Sequence, residues 1–218
     1  MNHIVNYLFS MLLSLPWILL AIVFHEFCHA WVSNRLGDPT PKLEGRLSLN
    51  PLVHVDPLGI LALVIFHFGW AKPVMINPNY YRDPLRGTLW VSLAGPAGNF
   101  MLAILFALVI RFFNFFDLWY LINPLIHSAG ISFLEYFLLG LAINLGFGFF
   151  NLIPVPPLDG SKILRFFIRG RAGLWFDRFE NFGIIVLIAF LYLGVIGWVL
   201  VPAVRFSSFI LTGYSIIF

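Results

Sequence analysis

The stretch Ile22-Val-Phe-His-Glu-Phe-Cys-His-Ala-Trp-Val32 decides both the fold and the chemistry, because a long apolar run ends there in three ionisable side chains. Residues four apart share one face of a helix, so His25 and His29 can bind one metal ion. Neutral imidazoles suit zinc, and Glu26 between them can serve as a general base. The alternative is a polar helix end at the membrane interface, where the cost of placing charge in lipid falls away.

The composition predicts an integral membrane protein. Of the 218 residues, 60% are hydrophobic and only 11% are charged. A soluble domain averages about 45–50% apolar residues and roughly 25% charged residues. Too few polar groups remain to cover a surface in water. The length fits a single membrane-embedded domain, 1–218, and the net charge of +3 is small. Its basic residues are spread over loops, which makes anionic lipid a more natural partner than nucleic acid.

Four apolar stretches are long enough to cross a bilayer as helices, which takes about 20 residues each. We predict these spans at about 4–33, 88–111, 131–153 and 182–204. A fifth apolar run, 58–70, is too short to cross the hydrocarbon core, and we expect it to be a re-entrant or partial segment. The fold class that follows is an all-α bundle of four transmembrane helices.

The distribution of basic residues predicts the orientation in the cell membrane. If 58–70 does not cross, the loops 33–87 and 154–181 lie on one side with nearly all of the Lys and Arg residues. Only Arg111 and Arg205 then remain on the opposite side. The positive-inside rule therefore places the N-terminus outside the cytoplasm and both loops inside it.

Both loops carry a further structural signal. Two prolines in Lys72-Pro-Val-Met-Ile-Asn-Pro-Asn79 favour a small extended or hairpin element, with an edge open to strand addition. In the other loop, basic and apolar residues recur at helical spacing over about 161–169. That pattern indicates a short amphipathic helix at the cytoplasmic interface of the membrane.

A hydrolytic zinc ion usually has three protein ligands, so a third one must come from elsewhere in the chain. The candidates are His54, Asp56, His67, Asp117, His127, Glu135 and Asp159. Asp159 stands out because it follows the proline-broken end of a span, Asn151-Leu-Ile-Pro-Val-Pro-Pro-Leu-Asp-Gly160. Unwound backbone at membrane depth must line a cavity or be buried in protein. An N-cap role for Asp159 is the alternative, and position alone leaves both open.

At five blocks the chain resembles the site-2 proteases, a family of intramembrane zinc metalloproteases. The blocks, in the family's order, are His25–His29, His54-Val-Asp-Pro-Leu-Gly59, Gly69-Trp-Ala-Lys-Pro-Val74, Ala94-Gly-Pro-Ala-Gly-Asn99 and Asn151–Gly160. The resemblance implies that His25, His29 and Asp159 bind one zinc ion and that Glu26 is the catalytic base. It also implies that Asn151 holds the substrate or its oxyanion. A minimal member of this family would cut transmembrane proteins in or near their membrane segments.

Three further residues are candidates for contacts behind the metal ligands: His54, Asp56 and Asn99. For Asp56 the alternative is a turn into the membrane segment, and for Asn99 it is a hydrogen bond between helices. Two other functions compete with proteolysis, since intramembrane ionisable groups also mark ion pathways. One is a component of an ion or metal transporter, and the other is a catalytically silent protein that only binds membrane proteins.

Overall fold

The computed structural model describes residues 2–59, 72–118, 132–168, 170–180 and 182–216, which form helices and no β-strand. Within those ranges, four helices are long and apolar enough to cross a membrane. These candidate spans are Met11–Arg35, Pro84–Phe115, Phe133–Asn151 and Val195–Thr212. The predicted fold class, an all-α polytopic bundle, is therefore confirmed. The expected re-entrant segment 58–70 lies almost wholly outside the described residues.

Nine α-helices and one 3-10 turn make up the described part of the chain. The long helices are α1 (Asn2–Arg35), α4 (Pro84–Phe115), α5 (Phe133–Asn151) and α9 (Val195–Thr212). Between the first two lie α2 (Thr40–Leu43), α3 (Pro51–His54) and the 3-10 turn Pro78–Tyr80. After α5 come α6 (Asp159–Phe167), α7 (Gly170–Glu180) and α8 (Gly183–Tyr192).

Helix α4 is the centre of the bundle. It packs against α1, α5, α6 and α9, and half of its most apolar window is buried, a larger share than in the other three spans. The helix begins where Asp83 accepts hydrogen bonds from the backbone N–H groups of Leu85 and Arg86. Pro84 fills the first helical position, where a missing N–H costs nothing. Every element that carries a site residue is thus fixed relative to α4.

The apolar core joins α1, α4, α5 and α9. Ala103 and Phe106 of α4 pack there with Leu141 of α5 and Val204 of α9. Trp17 of α1 meets Phe106 edge-on, with ring centroids 4.9 Å apart. Lipid tails are as apolar as these side chains, so close packing between the helices, and not transfer out of water, holds this core together.

Helix α1 runs antiparallel to α4. His29, near the end of α1, contacts the carbonyl of Val91, whereas Ala21 further back contacts Asn99. Arg35 and Pro84 therefore lie at the same end of the bundle. The chain between them therefore begins and ends on the same side of the bundle.

The opposite end of the bundle is tied together by Arg111. Its guanidinium donates hydrogen bonds to the carbonyls of Ile210, at 3.0 Å, and Leu211. These two carbonyls belong to the last turn of α9, which has no intrahelical donors to satisfy them. The ends of α4 and α9 thus share one side, and the starts of both helices share the other.

The fourth span differs from the predicted range of 182–204. The structure breaks this apolar run at Gly194, whose φ of 71° no α-helix contains. Glycine reaches that conformation without steric cost, so it can end one helix and start another within a uniformly apolar stretch. The run divides into the short α8 and the longer α9, and the candidate span moves to Val195–Thr212.

The loop before α4 is only partly as expected. Residues 72–77 form no helix, and the N–H of Lys72 donates to the carbonyl of His54 at 2.8 Å. The expected extended element at 72–79 ends early, because Pro78–Tyr80 makes a 3-10 turn capped by Asn77. In the other loop the interfacial helix expected at about 161–169 lies at Asp159–Phe167.

Candidate metal centre

Three side chains that are distant in sequence converge on one point. The Nε2 atoms of His25 and His29 are 3.0 Å apart, and Oδ2 of Asp159 lies 3.1 Å and 3.0 Å from them. The residues are only 3%, 8% and 8% exposed. Two adjacent turns of α1 supply the imidazoles, and the first residue of α6 supplies the carboxylate.

The tautomer of His29 is fixed by its second ring nitrogen. Nδ1 lies 2.6 Å from the carbonyl oxygen of Val91 on α4. A carbonyl oxygen only accepts, so Nδ1 must carry the proton. In the neutral ring, Nε2 therefore presents a lone pair toward His25 and Asp159.

His25 is fixed in the same way by Asn99. Its Nδ1 lies 2.8 Å from Oδ1 of Asn99, whose amide nitrogen donates to the carbonyl of Ala21 at 2.9 Å and faces Oδ1 of Asn144 at 3.3 Å. These two acceptors set the orientation of the amide, so its oxygen faces the ring and accepts the Nδ1 proton. The Nε2 atom of His25 is then also unprotonated.

The convergent atoms fit a metal ion. Two imidazole lone pairs and a carboxylate oxygen repel one another at 3.0–3.1 Å, and Oδ2 of Asp159 has no hydrogen-bond partner among the described residues. A cation resolves both problems. Atoms at these separations can each lie about 2.0–2.1 Å from one ion placed off their plane, as zinc requires of nitrogen and oxygen ligands.

The local fold at the end of α5 presents Asp159. Leu158 occupies the N-cap position with extended backbone, and Asp159 is the first residue of α6, so its side chain is not the cap. Its buried carboxyl group faces the Nε2 atoms of both histidines, the position that a shared cation would hold together.

Glu26 lies beside these three residues and is oriented by the loop before α4. Its Oε2 accepts a hydrogen bond from the backbone N–H of Val74 at 3.1 Å. The side chain is half-buried and lines the same cavity as the two histidines. Because Val74 belongs to the segment 72–77, a non-helical stretch of chain passes directly by the candidate base.

A cavity of about 140 Å³ opens on the convergent residues. Its wall includes Glu26, Val74, Ser92, Asn151 and Lys162 in addition to the three convergent side chains. Asn151 is the last residue of α5, and its amide nitrogen donates to the carbonyl of Phe147 at 3.0 Å. One N–H of that amide remains available to a group in the cavity.

The structure does not bring His54 and Asp56 to the histidine rings, whose Nδ1 atoms face Asn99 and Val91. Instead, Nε2 of His54 donates to the carbonyl of Ser48 at 2.7 Å, and Asp56 accepts from the N–H of Leu58 in a local turn. Of the three candidates for contacts behind the ligands, Asn99 is the one that touches a ligand histidine.

Two features of the site were missed in the sequence. One is the use of backbone groups, the carbonyl of Val91 and the N–H of Val74, which no residue type signals. The other is Lys162 in the cavity wall. It lies three residues after Asp159 on an amphipathic helix, and that spacing was the available signal, since such residues share a helix face.

Gly95 of α4 completes the site by leaving room for it. A Cβ atom built at this position would overlap Nε2 of His29 and lie 2.6 Å from Cε1 of His25. The backbone of α4 therefore packs directly against both imidazoles. A third contact of α1 with α4 places Cys28 against Gly98, so the thiol packs between helices and does not line the cavity.

The chain is similar to known proteins along most of its length. The family described as Peptidase family M50 matches residues 14–194. YwhC of Bacillus subtilis, provisionally named a zinc metalloprotease, is 31% identical over 209 residues, which are 90% of each chain. Rip2 of Mycobacterium tuberculosis, named in the same way, is 31% identical over 189 residues, 83% of this chain and 67% of its own. A zinc metalloprotease of Methanocaldococcus jannaschii is 28% identical over 153 residues, 70% of this chain and 33% of that protein. No solved structure matches significantly.

Proposed function

This chain belongs to peptidase family M50, and we propose that its active site is of the site-2 protease type, with zinc held by His25, His29 and Asp159. Membership makes the chain a zinc-dependent intramembrane metalloprotease that spans the membrane several times. The observation that carries the assignment of ligands is the meeting of three buried lone-pair atoms at 3.0–3.1 Å. Residues 1–218 act as one membrane-embedded protease domain.

Glu26 is the catalytic base in this proposal. Zinc on the three ligands supplies Lewis acidity, which polarises the scissile carbonyl and lowers the pKa of a water molecule to about 7. Glu26 takes a proton from that water as it attacks the peptide carbonyl, and later gives a proton to the leaving amine. The hydrogen bond from Val74 aims the Glu26 carboxylate into the cavity, where this transfer takes place.

Asn151 stabilises the oxyanion that forms on the substrate. Its second amide N–H is available to the cavity, whose wall also includes Glu26. Loss of one such donor typically costs about 3–4 kcal/mol of transition-state stabilisation. Asn99 supports the same site from behind, because it fixes the ring and the tautomer of His25.

Substrates are transmembrane proteins, unwound before cleavage. Helical backbone hides its peptide groups, so the scissile bond must leave its helix to reach the cavity. The non-helical segment 72–77 passes beside Glu26, and in this proposal such a strand adds to its edge. The ligand histidines lie about two to three turns before the end of α1, so cleavage takes place near one face of the membrane.

We infer that this face is the cytoplasmic one, in a protein of the cell membrane. The ends of α1 and α5 and the starts of α4 and α6 all gather at the site, together with loops that hold most of the basic residues. The positive-inside rule assigns such loops to the cytoplasm. Water then reaches the cavity from the cytoplasm.

The test is a comparison of Glu26→Gln with Asp159→Ala in purified protein reconstituted into vesicles. We expect Glu26→Gln to keep one zinc ion per chain by metal analysis and to lose cleavage of a model single-span substrate by at least about 10²-fold. Asp159→Ala should lose zinc as well as cleavage. Full cleavage by the glutamine variant, or full zinc retention by the alanine variant, would refute the assigned roles.

A further inference from the structure

A second cavity of about 470 Å³ adjoins the catalytic one. It lies between the start of α4 on one side and α6 and α7 on the other, with mainly apolar walls that include Pro78, Leu85 and Phe176. Ile76 and Lys162 line both cavities, so the two spaces meet at these residues. We call this second cavity the α6 groove.

Lys162 stands at the junction with an uncompensated charge. Among the residues that the structure describes, its ammonium group has no ion-pair or hydrogen-bond partner. The neighbouring cation in the groove, Arg165, differs, because Asp177 binds its guanidinium with contacts of 2.5 Å and 3.0 Å. Glu180 also lines the groove, and its charge acts on Arg165.

The charges of the metal site do not cancel that of Lys162. The two carboxylates, Glu26 and Asp159, balance the two positive charges of a zinc ion, and both ligand histidines are neutral. The metal site therefore does not neutralise Lys162, which stands between the catalytic cavity and the α6 groove without an ion-pair partner among the described residues. A half-buried cation that faces a binding space attracts an anion there, because water screens such a site less than an open surface.

We propose that the α6 groove binds the substrate segment next to the scissile bond, and that Lys162 selects an acidic side chain in it. This inference rests on the proposed function. The occupant is an unwound stretch of a transmembrane protein, because the groove adjoins the catalytic cavity and its apolar walls suit the residues of such a stretch. Lys162, at the junction, meets the side chain closest to the cleaved bond.

The first test measures cleavage of a panel of synthetic single-span peptides by the full chain with zinc in vesicles. The peptides carry Asp, Asn or Lys at each position flanking the cleaved bond. The protein should cleave the best Asp peptide about two- to fivefold more efficiently than its Lys counterpart, the range of a partly exposed ion pair. The preference should lie mainly in KM and should shrink as salt is raised.

Charge reversal separates selection from a structural role. Lys162→Glu should reverse the order of the Asp and Lys peptides, and Lys162→Gln should abolish the preference. The exposed Lys42 lies outside both cavities, so Lys42→Glu is the matched control and should keep the original order. The proposal would be overturned if the Lys162→Glu protein binds zinc but cleaves all peptides with equally reduced efficiency. Unchanged selectivity in both Lys162 variants would overturn it as well.

A second test needs no catalysis. In the Glu26→Gln background, a photo-reactive amino acid replaces Phe176 in the groove, or exposed Leu108 in the outer half of α4 as a control. The Asp peptide should crosslink at 176 and not at 108, and Lys162→Glu should weaken that crosslink.

The two tests fail separately. Crosslinking at 176 without cleavage in the parent protein would contradict the protease assignment and leave the groove as a binding site. Cleavage without crosslinking at 176 would overturn the groove and leave the protease assignment intact.

Discussion

Asn99 shows how a single buried residue can fix the ring of a proposed metal ligand, His25. It is 0% exposed, accepts the Nδ1 proton of His25, and donates to Ala21 on α1. Its amide also faces Asn144 on α5, whose own amide nitrogen donates to the carbonyl of Gly140. One amide side chain therefore links the three helices that surround the site and sets which nitrogen of the histidine faces the metal.

Replacing Asn99 should weaken zinc binding without removing a ligand. In Asn99→Ala the Nδ1 proton of His25 has no acceptor, the ring can rotate or change tautomer, and zinc affinity should fall about 10- to 100-fold. Titration against a competing chelator measures this change. Asn34→Ala, on the helix that carries His25 but outside the cavity wall, is the control and should bind zinc normally. Equal affinities in the two variants would contradict the role.

Asp38 is a second buried polar residue, in the loop directly after α1. Its carboxylate accepts hydrogen bonds from the hydroxyl of Ser33 at 2.9 Å and from the backbone N–H groups of Thr40 and Asn77 at 2.9 Å and 2.7 Å. Burial acts to raise the pKa of Asp38, but these hydrogen bonds outweigh it and lower that pKa. The ionised form therefore stabilises the fold and joins α1 to the segment beside Glu26.

The stabilisation by Asp38 should disappear in acid. A carboxyl whose pKa is lowered on folding contributes fully above its unfolded value, about 3.9, and loses that contribution as pH falls through the folded value. Asp38→Asn should be about 1–3 kcal/mol less stable than the parent at neutral pH. The difference should stay constant down to about pH 5 and narrow below about pH 4. Unfolding in detergent across a pH series measures it, and a difference that widens in acid would refute the prediction.

At the scale of elements, the closeness of α1 and α4 is what the site depends on. The α4 backbone touches both imidazoles at Gly95, and the carbonyl of Val91 on the same helix holds His29. Helix α6 then packs on α4 and brings Asp159 to the pair. Helix α4 thus acts as the template against which two other helices place their ligands.

A methyl group at Gly95 should displace the ligands and spare the helix. In Gly95→Ala the new Cβ would collide with His29, whose ring is held from its other side, so zinc affinity should fall by at least about tenfold. Helix content by circular dichroism should not change. Gly146→Ala on α5 is the matched control, because its Cβ meets nothing within 4 Å. That variant should bind zinc normally and gain up to about 1 kcal/mol of helix stability.

At the scale of the whole molecule, α4 runs antiparallel to both α1 and α5, which gives each of these spans a defined direction. The ligands, the candidate base and the α6 groove lie at one end, and Arg111 ties α4 to α9 at the other. The residues proposed for catalysis and substrate binding therefore lie at one end of the bundle, and the contact that joins α4 to α9 lies at the other. This polarity is what makes the orientation in the membrane decide where products are released.

Cysteine labelling should reveal that orientation. In a Cys28→Ala background, single cysteines at Lys42 and Arg171 should react with an impermeant maleimide from the cytoplasmic side only. A cysteine at Asp117, beyond the end of α4, should react from the opposite side only. Zinc content confirms that each variant is folded. Labelling of 42 and 117 from the same side would exclude the proposed topology.

Much of this protein followed from the sequence by itself. A membrane span needs only a local property, about 20 apolar residues, so hydropathy predicted the bundle class and three of the four candidate spans. The pair His25 and His29 is also local, since residues four apart share a helix face. Glu26 was predicted with them because it belongs to the same five-residue motif.

Tertiary structure decided what depends on residues distant in the chain. Several acidic groups and histidines could have joined the pair, and the packing of α6 against α4 placed Asp159 there. Asn99 and the carbonyl of Val91 became partners of the rings through the register of α1 on α4. The break at Gly194 escaped prediction as well, because apolar composition is the same on both sides of it. The periodicity of apolar residues describes a single helix. Contacts between helices depend on which helix backbones can pack closely together, and periodicity does not contain that information.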